Sequence, residues 1–172
     1  DVTANYVITP VAGKLTINAK PVTVTAKSEE FTYDGEAHSN DGYDVVGLVG
    51  SDKIEAVVTG SITFPSESPV TNELTSYEFT TGTPGNYSVT PANGALTMKN
   101  AEVAITITAA SQSWTYDGAA HSNNTVSVTD GELLTGDELV ASATGSVTNV
   151  ADTAKDNNAI AEGYKVMHGT ED

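Results

Sequence analysis

A ten-residue motif occurs twice in this chain, and no other feature of the sequence restricts its folding as strongly. Phe31-Thr32-Tyr33-Asp34-Gly35-Glu36-Ala37-His38-Ser39-Asn40 returns 83 residues later as Trp114-Thr115-Tyr116-Asp117-Gly118-Ala119-Ala120-His121-Ser122-Asn123, with eight of ten positions identical. Downstream, Asp52 and Thr59-Gly60-Ser61-Ile62-Thr63 match Asp137 and Thr144-Gly145-Ser146-Val147-Thr148 at a shift of 85, so a small loop insertion separates the two blocks. Self-similarity of this kind means one structural unit per copy. Each copy, at roughly 80–85 residues, is large enough to be a small domain.

A third match lies out of order. Asn5-Tyr6-Val7-Ile8-Thr9-Pro10 and Gly13-Lys14-Leu15-Thr16-Ile17 align with Asn86-Tyr87-Ser88-Val89-Thr90-Pro91 and Gly94-Ala95-Leu96-Thr97-Met98. In mid-chain this segment closes the first copy, whereas at the front it closes nothing. The expected organisation is therefore residues 1–19 as the closing hairpin of a preceding or neighbouring repeat, 20–99 as a complete repeat, and 100–172 as a second repeat without its closing strand segment. Tyr6, Ile8, Leu15 and Ile17 carry the alternation of an inter-repeat or inter-subunit strand. Two origins stay open: donation to the open repeat of a neighbouring copy, as an added strand on an exposed sheet edge, or the end of a previous domain in a longer array. The start on Asp1 without Met points to a processed or excised piece.

Val22-Thr23-Val24-Thr25, residues 103–108 and Ser127-Val128-Thr129 alternate apolar with hydroxyl side chains, the period of half-buried strands. Ile54 to Ile62 and Leu139 to Val147 are similarly β-branched. Turn dipeptides separate them: Asp34-Gly35, Asp41-Gly42, Pro84-Gly85, Asn93-Gly94, Asp117-Gly118 and Asp130-Gly131. Residues 152–163 are the best helix candidate. The pattern predicts an all-β chain of two tandem small β-domains, Ig-like sandwiches or alternatively a β-grasp, and the short links at 18–21 and 99–102 favour a rod.

Charge excludes several partners. Seven Lys and no Arg stand against 23 acidic residues, a net charge of −16. Phosphate neutralisation needs clustered cations, so no nucleic acid and no anionic membrane surface is expected as partner. No apolar run is long enough for membrane insertion as a helix. The absence of cysteine removes disulfides and thiolate metal sites.

The Thr-Tyr-Asp-Gly motif with its trailing Ala-His-Ser, the Gly50-Ser51-Asp52 that follows, and the closing Asn-Tyr-x-Val/Ile-Thr-Pro with Gly-x-Leu-Thr together resemble the Tyr-Asp-Gly and MBG-type tandem repeats of bacterial cell-surface, adhesin-like proteins. The resemblance spans nearly the whole chain. It implies an extracellular stalk or fibre at the cell surface, without enzymatic activity, whose partners are copies of itself or adjacent repeats of the same chain.

The residues bearing polar chemistry fit that expectation. Tyr33, Asp34, Gly35 and His38, with Tyr116, Asp117, Gly118 and His121, suggest a relay or half a metal site, but a zinc site wants three or more protein ligands and the motif supplies too few. A structural role is expected for them, with Asp as turn former. Trp114 and Tyr116, two apart on one face, are a candidate platform for host or surface glycans, the alternative function being a glycan- or mucin-binding adhesin module. Asp52, Glu55, Asp137 and Glu138 are acidic enough to suggest calcium but are read as a solvated surface. No catalytic set and no cofactor are expected.

Overall fold

The computed structural model describes residues 2–170. Asp1, Glu171 and Asp172, which the sequence places in the closing hairpin and at the end of the second repeat, lie outside the described residues. The fold is all-β: eleven strands and four three-residue 3-10 turns, with no α-helix among the described residues. The partner of each sheet is therefore another sheet rather than a helix.

Two packed units form, and they are not coextensive with the two sequence repeats. One comprises residues up to Lys27, Asp41–Thr59 and Glu73–Gly94; the other comprises Ser28–Asn40, Gly60–Asn72 and Ala95 onward. In the first, β1 (Lys20–Ala26) is central, antiparallel to β3 (Tyr43–Val46) and parallel to β6 (Tyr87–Ala92), with Val22 opposite Val89 and Val24 opposite Val45. Period-2 alternation sends Val22, Val24 and Ala26 inward and Thr23 outward. They meet Ile54 and Val58 of β4 (Lys53–Thr59) and Leu74 of β5 (Val70–Thr81), which pair antiparallel. This is a small sandwich. Each fully buried aliphatic side chain contributes roughly 1.5–3 kcal/mol.

In the second unit, β2 (Glu29–Thr32) runs parallel to β7 (Gly94–Lys99), Glu29 opposite Leu96 and Phe31 opposite Met98. Leu96, Met98 and Ile62 form its buried cluster, with Phe31, Tyr33 and Val70 packed against it. The strand expected over Ile54 to Ile62 stops at Thr59. Register shifts interrupt β4, and Ile62 instead exchanges both backbone hydrogen bonds with His38, entering the other core. Further along this unit, β8 (Thr106–Ala109) pairs antiparallel with β9 (Val126–Asp130), and β10 (Asp137–Val140) with β11 (Lys165–His168).

The second copy repeats the first in part, and residues 112–115, which match β2, form no strand. By sequence β8 matches β1, β9 matches β3 and β10 matches β4. Among the described residues, however, no strand lies beside β8 where β6 lies beside β1. Ile105 and Ile107 are accordingly half-buried where Val22 and Val24 are buried. Residues 6–19 form no strand, and Val7, Leu15 and Ile17 are each 99 % exposed.

The helix expected over 152–163 does not form. A 3-10 turn at Val150–Asp152 is all that appears there, and Asp156 adopts φ 60°. Side-chain competition explains this. Asp152 spends its carboxylate on the Thr148 and Asn149 amides, and Asn158 donates to the backbone of Ala110 and Asn123.

Leu96, enclosed on all sides, should cost about 2–5 kcal/mol when cut to Ala. Ile107→Ala, at the open position, should cost well under half of that. Urea unfolding of the two variants measures the difference; equal losses would mean that the β8 face is as closed as the β1 face.

Candidate functional site: the Tyr-Asp-Gly loops and the Tyr33–Asp137–His168 joint

Both loops solve the same local problem in the same way. Gly35 and Gly118 adopt φ of 88° and 81°, which an L side chain resists, and the preceding Asp folds back over the turn. Asp34 Oδ1 accepts the Glu36 amide at 3.0 Å and His38 Nε2 at 2.9 Å; Asp117 Oδ1 accepts the Ala119 amide at 2.9 Å and His121 Nε2 at 3.0 Å. Because a carboxylate only accepts, Nε2 of each histidine carries the proton. The imidazole then stacks on the aromatic that opens the motif, His38 on Phe31 at 4.7 Å and His121 on Trp114 at 5.1 Å between ring centroids. The backbone of each histidine is paired as well, with Ile62 and with Val147. The hydrogen bond to His38 and the Glu36 amide hold Asp34 below its ordinary pKa, and the Ala119 amide and His121 do the same for Asp117.

The tyrosines part company. Tyr33 donates its hydroxyl to Asp137 Oδ1 at 2.6 Å, and His168 Nδ1 approaches the same oxygen at 3.0 Å and the Tyr33 hydroxyl at 3.2 Å. Phe64 packs edge-on to His168 at 5.3 Å and lies 6.2 Å from the Tyr33 ring. The Tyr-Asp-Gly loop of the first repeat is thereby joined to the Asp137 loop of the second. Burial, followed by the bond to the Asp137 carboxylate, pushes the Tyr33 phenol up to about 12. Gly35 lies so close to the Thr135 carbonyl that a Cβ there would stand 2.0 Å from its oxygen. Tyr116, by contrast, is 66 % exposed, and Gly118 faces open space.

Asp52, the counterpart of Asp137, also accepts a phenol. Tyr87, from the closing segment, donates to Asp52 Oδ2 at 2.6 Å, and the Val49 amide donates to the Tyr87 oxygen at 3.2 Å. The hydrogen bond to Asp52 and burial raise the Tyr87 phenol. Two of the acidic residues singled out by sequence are thus phenol acceptors. Glu55 and Glu138 are exposed on β4 and β10. Among the described residues no three His, Asp or Glu side chains gather where a metal ion could sit.

Trp114 and Tyr116 line an open cleft of about 940 Å³ with Ile107, His121, Val147 and Ile160. Trp114 is 37 % exposed, but one ring face rests on His121. Tyr6, Ile8, Leu15 and Ile17 are exposed in the N-terminal segment, which forms no strand there.

Sequence reading missed the acceptor role of Asp137, His168 as its partner, and a pair of matching amides: the buried Asn72 donates to the Asn40 carbonyl at 2.8 Å, as the half-buried Asn158 does to that of Asn123 at 2.9 Å. It also missed two matching caps. Glu67 accepts the Thr63 and Phe64 amides as Asp152 accepts those of Thr148 and Asn149. The repeat itself carried the signal, since each pair recurs at a shift of 83–86.

Comparison with family models, with curated proteins and with solved structures returns no match for this chain. No helix among the described residues is long and apolar enough to cross a membrane.

Two outcomes follow. Depressed carboxylates stabilise the fold above their unfolded values and lose that contribution as pH falls. Acid unfolding should therefore set in below about pH 4, and Asp34→Asn should flatten the pH dependence there, as followed by circular dichroism. The raised Tyr33 phenol acts at the other end: its contribution is complete below pH 10 and lost as pH rises through about 12. In a spectrophotometric titration, Tyr33→Phe should delete a tyrosine step at the alkaline end.

Proposed function

We propose that the chain is a non-catalytic structural repeat of an extracellular bacterial surface stalk or filament. The observation carrying this reading is the use made of the polar motif residues. Asp34, His38, Asp117 and His121 are spent on closing turns, and Tyr33 is spent on joining one repeat to the next. A catalytic base or nucleophile needs a group free to meet substrate, whereas these groups bond to each other. The net charge of −16 keeps neighbouring copies soluble. The absence of Arg and the scarcity of Lys suit a surface exposed to trypsin-like proteases.

One observation favours a second reading. The cleft lined by Trp114 and Tyr116 offers aromatic surface of the kind on which sugars stack, which supports a glycan- or mucin-binding adhesin module. A glycan array separates the two. The structural-repeat reading expects no reproducible binding; specific capture abolished by Trp114→Ala would overturn it. Turnover in a broad hydrolase screen would do the same for the non-catalytic assignment.

A further inference from the structure

Three donor atoms of different kinds meet at one point of the second unit. Tyr33 Oη lies 2.6 Å from Asp137 Oδ1, which lies 3.0 Å from His168 Nδ1, and Nδ1 is 3.2 Å from the Tyr33 oxygen. An ion that binds nitrogen and oxygen at about 2.0–2.1 Å holds neighbouring donors about 2.9–3.4 Å apart at octahedral or tetrahedral angles. Two edges of this triangle already have that length. The third, between Tyr33 and Asp137, is short because a shared proton draws the two oxygens together, and it relaxes once that proton leaves.

The strands fix the triangle in advance. Asp137 and His168 are directly opposed in the β10–β11 ladder, so their side chains leave the same face. Tyr33 follows the end of β2, with its amide bonded to the Lys99 carbonyl at 2.9 Å. The imidazole rests on bare backbone, since a Cβ at Gly136 would stand 2.5 Å from His168 Cε1, and Phe64 packs edge-on against the same ring. Donors held on paired strands lose little freedom when an ion takes them up. The Asp137 and His168 side chains keep 10 % and 27 % of their surface in solvent, enough for an ion to enter and for water to fill its remaining positions.

The rest of the chain supplies a comparison. Asp34 with His38, Asp117 with His121 and Asp52 with Tyr87 each bring two donors together. Two are too few, because a transition metal held by protein usually has three or more protein ligands. At Asp137 phenol, carboxylate and imidazole converge. That donor set also selects the ion: calcium and magnesium take shells of oxygen, whereas imidazole nitrogen suits zinc, copper, nickel and iron. Among divalent ions of that row affinity peaks at Cu(II), which polarises a phenol strongly enough to displace its proton.

We propose that Tyr33, Asp137 and His168 bind a Cu(II) ion through phenolate, carboxylate and imidazole. Tyr33 gives its proton to solvent, Asp137 offers its carboxylate, and His168 offers the Nδ1 lone pair with the ring proton on Nε2. The ion takes the place of the hydrogen bonds among them and fastens the Tyr-Asp-Gly loop to β10 and β11. This site goes beyond the structural-repeat reading and does not depend on it.

The test is a titration of Cu(II) into the untagged 172-residue chain, followed by visible absorption. One ion per chain should bind with a phenolate-to-copper charge-transfer band. It should also raise the melting temperature, because donors 104 and 135 residues apart meet only in the folded state. Tyr33→Phe keeps the ring and should lose the band; His168→Gln should weaken binding at least about tenfold. Tyr87→Phe, at a two-donor pair, should leave band and affinity unchanged. A wild-type chain that takes up no Cu(II), takes it up without the band or gains no thermal stability from it would overturn the site. So would a band that survives in Tyr33→Phe or vanishes in Tyr87→Phe, or an affinity that His168→Gln leaves intact. The band is read on the wild-type chain, so a variant that fails to fold leaves the test standing.

Discussion

The parallel pairing of β6 with β1 is the contact on which the rest of this structure depends. A central strand can bury Val22 and Val24 only if both of its edges are paired, because an open edge leaves backbone N–H and C=O groups that must stay near water. With β6 in place, those valines disappear from solvent. At β8, where the described residues provide no such neighbour, chemically equivalent isoleucines remain half-buried. The two copies share the strands β1, β3 and β4, as β8, β9 and β10, together with the Asp-Gly turns and the motif. Among the described residues the first copy has β2, β7 and, beside β1, the strand β6, none of which recurs in the second.

That strand is followed directly by β7, which places Leu96 and Met98 between Phe31, Tyr33 and Ile62. The closing segment thus completes two cores in succession, one on each side of the short Asn93-Gly94 link. Its chain geometry explains why the packed units cut across the sequence repeat: consecutive strands serve different cores, and β5 does the same, with Val70 packed in one cluster and Leu74 buried in the other. Sequence periodicity marks copies, whereas packing marks cores. In a chain whose strands pass repeatedly between cores the two divisions do not coincide.

Much of the fold was legible because it is written locally. Alternation at Val22–Thr25 and the Asp-Gly turns act within a few residues, and the strands and loops appear where those signals stand. The helix over 152–163 was misread for a local reason too: Asp152, Asn157 and Asn158 bond the backbone in ways that defeat a helix, and composition does not reveal which partners they choose. The joint was illegible for a different reason. Asp137, His168 and Phe64 are brought to Tyr33 from sequence separations of 104, 135 and 31 residues, and nothing near any of them announces the others. What the repeat offered was a comparison: Asp52 and Asp137 align, so a role found at one directs attention to the other.

The Tyr-Asp-Gly motif has the residue types of a relay, and the side-chain hydrogen bonds of its Asp and His run within their own turn. A relay passes a proton to a group that leaves, and each member must be able to change partners. Here Asp34 and Asp117 are anchored by backbone amides as well as by histidine, which holds them as acceptors and closes the turn. The phenol alone points away from its own loop. In the first copy it is met by a carboxylate and two rings; at the second, Asn149 stands where Phe64 does, and Gly82 rather than a histidine lies against Asp52. Any contact that Tyr116 makes with an aspartate of that kind therefore lacks the ring packing that surrounds Tyr33. Burial is the first cause of the raised Tyr33 phenol, and the Phe64 and His168 rings lie against the Tyr33 ring that carries it. The motif is constant between the copies while its surroundings differ, and those surroundings determine what its phenol meets.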